Sequence, residues 1–159
     1  MRKYFKISCR ILIVILLLAV ALYFIPWRTS IGIYMYGAVV TADGQILYKK
    51  DVYVSGHISE YLFQKDHLDL AFYLDEPYWN DIKVDHSFSN DGRWPYILAN
   101  WDGYNRQLNR YDGGPLGLTF EKDMMILSRF GEDDHYLVAS VNPDFEPQEI
   151  LQKFSDLLD

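Results

Sequence analysis

Between Asn90 and Gly114, aromatic side chains are interleaved with carboxylates, amides and guanidinium groups around three Asp-Gly pairs. The stretch reads Asn90-Asp-Gly-Arg-Trp94-Pro-Tyr96, then Asn100-Trp-Asp-Gly-Tyr104-Asn-Arg106, then Arg110-Tyr-Asp-Gly-Gly114. Such a mixture suits stacking on sugar rings while bonding their hydroxyls. It equally suits a protein interface, where Trp, Tyr and Arg carry most of the binding energy. Candidate ligand-binding residues are therefore Trp94, Trp101, Asp102, Tyr104, Arg106 and Tyr111, with the aromatics as platforms and Asp102 and Arg106 as polar partners. The plainer account of the same residues is strand tyrosines and tryptophans with their polar tips in water.

Other residue types capable of chemistry do not assemble into a motif. His57, His67, His86 and His135 are too far apart in sequence for a local metal-ligand pair. His86 alone falls on an apolar parity, which suits a core or rim histidine better than a ligand. Glu132-Asp133-Asp134 is the densest acidic run, yet it lacks the Asp-x-Asp-x-Asp-Gly spacing of a calcium loop and reads as a solvated turn. Gly113-Gly-Pro-Leu-Gly117 is rich in glycine but does not join a strand to a helix, so it reads as a turn entering a strand. Nucleophile-elbow, His-Glu-x-x-His, phosphate-loop and dinucleotide signatures are absent. With 22 acids a glycosidase-like carboxylate pair is easy to imagine, but nothing singles out two of them. No catalytic residue, metal or cofactor is expected, and a small carboxylate-dependent hydrolase stands only as the weakest alternative.

The elements that would position these residues follow from charge and hydropathy. The 159 residues carry 15 Lys+Arg against 22 Asp+Glu, a net charge of −7, and half of them are apolar. Arg2, Lys3, Lys6 and Arg10 precede an uncharged run from Ile11 to Trp27, which as a helix would rise about 25 Å. The expectation is a transmembrane signal-anchor within residues 1–28, with membrane contact through 11–27. Tyr23 and Trp27 suit the far interface, and Pro26 suits the end of the helix. The basic flank leaves the N-terminus in the cytoplasm and residues 29–159 outside. Ala19-Val20-Ala21 supports the alternative of a secreted chain cleaved near Ala21.

Beyond Arg28 the balance is strongly acidic, which argues against a nucleic-acid partner. The single cysteine, Cys9, precedes the apolar run, and no asparagine opens an Asn-x-Ser/Thr sequon. Both absences from the exported part point to a bacterial surface protein rather than a eukaryotic secreted one.

Short runs of β-branched and aromatic residues separated by Asp-Gly turns predict nine strands. They fall near 30–41, 45–50, 52–58, 67–74, 82–88, 94–101, 115–120, 124–130 and 135–141, with 104–111 either a tenth strand or a loop. Leu68, Leu70 and Phe72 share one parity, as do Ile82 and Val84, and Leu116 and Leu118, each marking a core-facing side. Pro147 opens an amphipathic helix over about 147–158. The fold class is mainly β: an N-terminal transmembrane helix, then an antiparallel β-sandwich or open barrel with one C-terminal helix. The function expected of it is a single-pass, membrane-anchored extracytoplasmic interaction protein, or alternatively a glycan- or cell-wall-binding module.

Overall fold

The computed structural model describes residues 2–74, 79–89, 96–105, 109–119, 121–130 and 135–155. Helix α1 (Arg2–Phe24) comes first, and Ile25 N–H still donates to Ala21 O at 2.9 Å. Pro26 has no N–H to continue that pattern, and it biases Ile25 away from helical backbone. Strand β1 (Trp27–Val40) follows at once. The helix stops before Pro26, as expected, but the expected span over 11–27 is corrected at its far end, where Trp27 is already the first residue of a strand. Among the described residues, no helix is long and apolar enough to cross a membrane.

Eight further strands follow: β2 (Ile46–Lys49), β3 (Val52–Glu60), β4 (Asp66–Leu74), β5 (Trp79–Phe88), β6 (Tyr96–Asn105), β7 (Arg110–Thr119), β8 (Met124–Leu127) and β9 (Tyr136–Ser140). Every neighbouring pair is antiparallel. β1 pairs along one edge with β3 through Trp27–Met35 and then with β2 through Ala38–Val40. Lys50 N–H donates to Gly37 O at 2.8 Å between the two, so β2 and β3 follow one another along the same edge of β1. The other edge of β1 pairs with β9 over Tyr36–Val40. That last pairing closes an eight-stranded antiparallel barrel. Of the two expected architectures the barrel forms, closed rather than open, because β1 is long enough to serve both the first and the last seam.

Barrels of this size are just wide enough to be filled by side chains. Here Met35, Leu68, Leu70, Ile82, Leu116 and Met125 are among the wholly buried residues that meet on the inside. A second apolar cluster lies on the outer wall, where Ala38, Val40, Ile126 and Val138 point away from the axis. Helix α2 (Pro147–Lys153) covers it with Ile150, Leu151 and the following Phe154, whose ring meets Tyr96 edge-on at 5.1 Å. The helix is shorter than the expected 147–158, and residues 156–159 lie outside the described residues.

Two of the expected turns are strand interiors. Asp102-Gly103 and Asp112-Gly113 sit inside β6 and β7, where Asp102 pairs with Gly113 and Gly103 with Asp112. A Cβ at Gly113 would lie 2.4 Å from Trp101 O, so the glycine permits close backbone approach rather than chain reversal. The undecided stretch 104–111 belongs in part to the same two strands, and Gly113–Gly117 lies within β7. Asp43-Gly44 does form the β1–β2 turn, with Gly44 at φ +83°. The expected turns at Asp91-Gly92 and after Gly131 fall outside the described residues.

Candidate functional site

Of the six residues to which the β6–β7 sequence points, four are described, and the structure parts Trp101 from Asp102, Tyr104 and Tyr111, which share the opposite face of the two strands. Trp101 is 2% exposed, shares the inner face of β6 with Ile97 and Ala99, and donates its indole Nε1–H to Ser128 O at 2.9 Å. Its ring lies 6.1 Å from that of Phe130. A tryptophan held there fills the barrel; it is not a surface platform. Asp102 is exposed on the opposite face, as strand alternation requires. Tyr104 and Tyr111 face one another across the β6–β7 pairing, ring centroids 5.2 Å apart, and Tyr104 Oη donates to Asn109 Oδ1. Trp94 and Arg106 lie outside the described residues.

On the other side of the barrel, the registers of β1, β3, β4 and β5 align residues of the outward parity in rows, all of them at least partly exposed except the buried Ser59. Ser30, His57, Asp69 and Asp85 form one row, and Arg28, Ser59, His67 and Ser87 the next. His57 Nε2 lies 3.8 Å from Asp69 Oδ2. His67 lies between Asp85 (Nε2 to Oδ1, 3.3 Å) and Ser87 (Nδ1 to Oγ, 3.2 Å). Ser, His and Asp are the residue types of a hydrolytic triad, but this set stands on an open outer wall, with the Asp85 side chain 82% exposed. In open water an oxyanion gains little from nearby dipoles, so the set has the members of a triad without its environment. His86 is half-buried on the inward parity, as its place in the sequence suggested. No group of three His, Cys, Asp or Glu among the described residues could hold a metal ion.

A third row is aromatic. Tyr34 (β1) pairs with Tyr53 (β3), which pairs with Tyr73 (β4). All three rings are exposed, and the Tyr53 and Tyr73 centroids are 6.1 Å apart. Tyr36 extends the row, edge-on to Tyr34 at 5.7 Å. Tyr34 Oη donates to Asp51 Oδ2 at 2.7 Å, and that bond, strengthened by the carboxylate charge, raises the phenol above its ordinary ionisation range. Beyond Tyr36 a groove of about 190 Å³ opens between the β1–β2 hairpin and the segment leading into α2, with Lys49, Asp51, Phe145 and Glu146 in its walls. Aromatic faces, a carboxylate–phenol pair and both signs of charge thus lie side by side on one wall. Tyr34 is seven residues beyond Trp27, about 23 Å along the strand from its α1 end.

This wall is not visible in the sequence, because tyrosines spread over 40 residues become a row only once three registers are known. The signal was available in part: Tyr34, Tyr53 and Tyr73 each sit on the parity opposite the buried residues of their strand. A scan against protein-family models finds no match to the chain, and searches of curated proteins and of solved structures find none either.

Proposed function

We propose that the chain is a single-pass, membrane-anchored binding protein whose barrel stands outside the cytoplasm and takes a partner on its tyrosine wall. The observation carrying this reading is the filled barrel: with the axis occupied by core side chains, recognition falls to the outer wall. There Tyr34, Tyr36, Tyr53 and Tyr73 offer large, stiff contact area at low entropy cost. No described helix is by itself long and apolar enough to cross a membrane, so the proposed anchoring rests on the surface of α1. Its residues Ile11 to Leu18 are apolar and each more than half exposed, a surface that water disfavours on every side of a helix. The basic residues ahead of it favour a cytoplasmic N-terminus.

A second reading is a glycan- or wall-binding module on the same wall, favoured by the charged groove continuous with the aromatic row. Photo-cross-linking tests the first reading. A benzoylphenylalanine placed at position 53 of the membrane-expressed full chain should trap a discrete protein adduct, and one at exposed position 121 should not. Absence of an adduct at 53, or the same adducts at both positions, contradicts a protein partner. Retention of the purified chain on insoluble cell wall, lost in Tyr34→Ala/Tyr53→Ala, would instead select the glycan reading.

A further inference from the structure

We propose that the loop joining β3 to β4 is a second lipid contact, dipping into the membrane interface beside the last turn of α1 and fixing how the barrel stands on the bilayer. This rests on the reading of α1 as a membrane anchor. The loop is tied to that helix: Gln64 Nε2 donates to Tyr23 O at 2.7 Å, and the Phe63 ring stacks on Tyr23 at 6.2 Å. Tyr23 O is one of the carbonyls that a helix end leaves without an intrahelical partner, and such a group needs a donor at the edge of lipid. Gln64 supplies it. Asp66 Oδ1 accepts from Tyr61 N–H at 2.9 Å and closes the loop at its base.

The same end of the barrel exposes a collar of apolar side chains: Phe24 65%, Ile25 69%, Trp27 64%, Leu62 50% and Phe63 64%. A small groove lined by Leu22, Ile25, Trp27 and Leu62 runs between helix and loop, so the collar continues the apolar surface of α1 without a break. Arg28 and Lys65 flank it, both exposed, with stems long enough to reach headgroup phosphates.

Length supplies an independent argument. The apolar helical stretch from Ile11 to Phe24 rises only about 21 Å, against a hydrocarbon core of about 30 Å. A short segment draws its neighbours into the bilayer or thins it. Trp27, Leu62 and Phe63 are placed to make up part of that deficit, and an aromatic pair at this level matches the preference of such rings for the interface.

The test uses the full chain in phosphatidylcholine–phosphatidylglycerol vesicles, with Cys9→Ser and one new cysteine carrying an environment-sensitive fluorophore. Phe63→Cys reports on the loop, Leu16→Cys on the middle of α1, and Tyr73→Cys on the outer wall. The label at 63 should be at least about threefold less quenched by aqueous iodide than that at 73, and quenched by nitroxide-bearing lipid. A label at 63 as open to iodide as that at 73, while 16 stays protected, overturns the second contact and leaves the anchor standing. Iodide access at 16 overturns the anchor itself.

Discussion

Trp101 and Ser128 are joined across the inner side of β7 by an indole-to-carbonyl hydrogen bond of 2.9 Å. Gly114 is the residue paired with Trp101, and a Cβ there would stand 2.6 Å from the same Ser128 oxygen. The glycine therefore leaves room for the carbonyl that the indole reaches. Trp101→Ala should destabilise the chain by about 3–5 kcal/mol in urea unfolding followed by circular dichroism. Gly114→Ala should cost about 1–3 kcal/mol by displacing Ser128. Trp101→Ala with unchanged stability would return that residue to the surface.

Gly56 in β3 adopts φ +147°, and a Cβ there would lie 2.1 Å from Asp69 O of the neighbouring strand. Space and backbone conformation both oppose a side chain. Gly56→Ala should lower stability by about 1–3 kcal/mol in the same unfolding experiment, although it deletes no contact.

Acid should act on the β1–β2 turn through Asp43. The Thr41 hydroxyl donates to its carboxylate, which, with help from its own backbone N–H, holds the group below its ordinary 3.8. A carboxyl whose folded value is lowered contributes stability that is present above the unfolded value and lost as pH falls through the folded one. The gap in melting temperature between the native chain and Thr41→Val should thus be constant near neutrality and narrow below about pH 4. A gap independent of pH would assign the effect to the Gln45 N–H···Thr41 Oγ1 bond alone.

Alkali should act in the opposite sense at Tyr34. Its neutral phenol donates to Asp51, so its folded value is raised, and the contribution is complete below about pH 10 and lost as pH rises through the folded value. With ring-labelled tyrosine, the NMR titration of Tyr34 should move to lower pH in Asp51→Ala. An unmoved titration would contradict the bond.

Much of the strand content was legible because alternation is a local property. Leu68, Leu70 and Phe72 are buried as their parity implied, as are Ile82 and Val84. Closure was not legible, since it depends on Tyr36–Val40 meeting Tyr136–Ser140, about a hundred residues away. The Asp-Gly pairs in β6 and β7 misled for a physical reason: glycine serves close strand approach as readily as a turn, and only the partner strand decides which. Trp101 misled because indole suits both core and interface. Its shared parity with Ile97 and Ala99 was the clue to its burial. The tyrosine wall needed three registers, which no single stretch of sequence contains.

Cysteine accessibility tests most directly the proposal that α1 anchors the chain with its barrel beyond the membrane. Cys9 is the only native cysteine. In intact cells a membrane-impermeant maleimide should leave the native chain unlabelled until the cells are permeabilised. The same reagent should label Tyr53→Cys, in a Cys9→Ser background, before permeabilisation. Labelling of Cys9 in intact cells, or protection of position 53 until permeabilisation, would contradict the account.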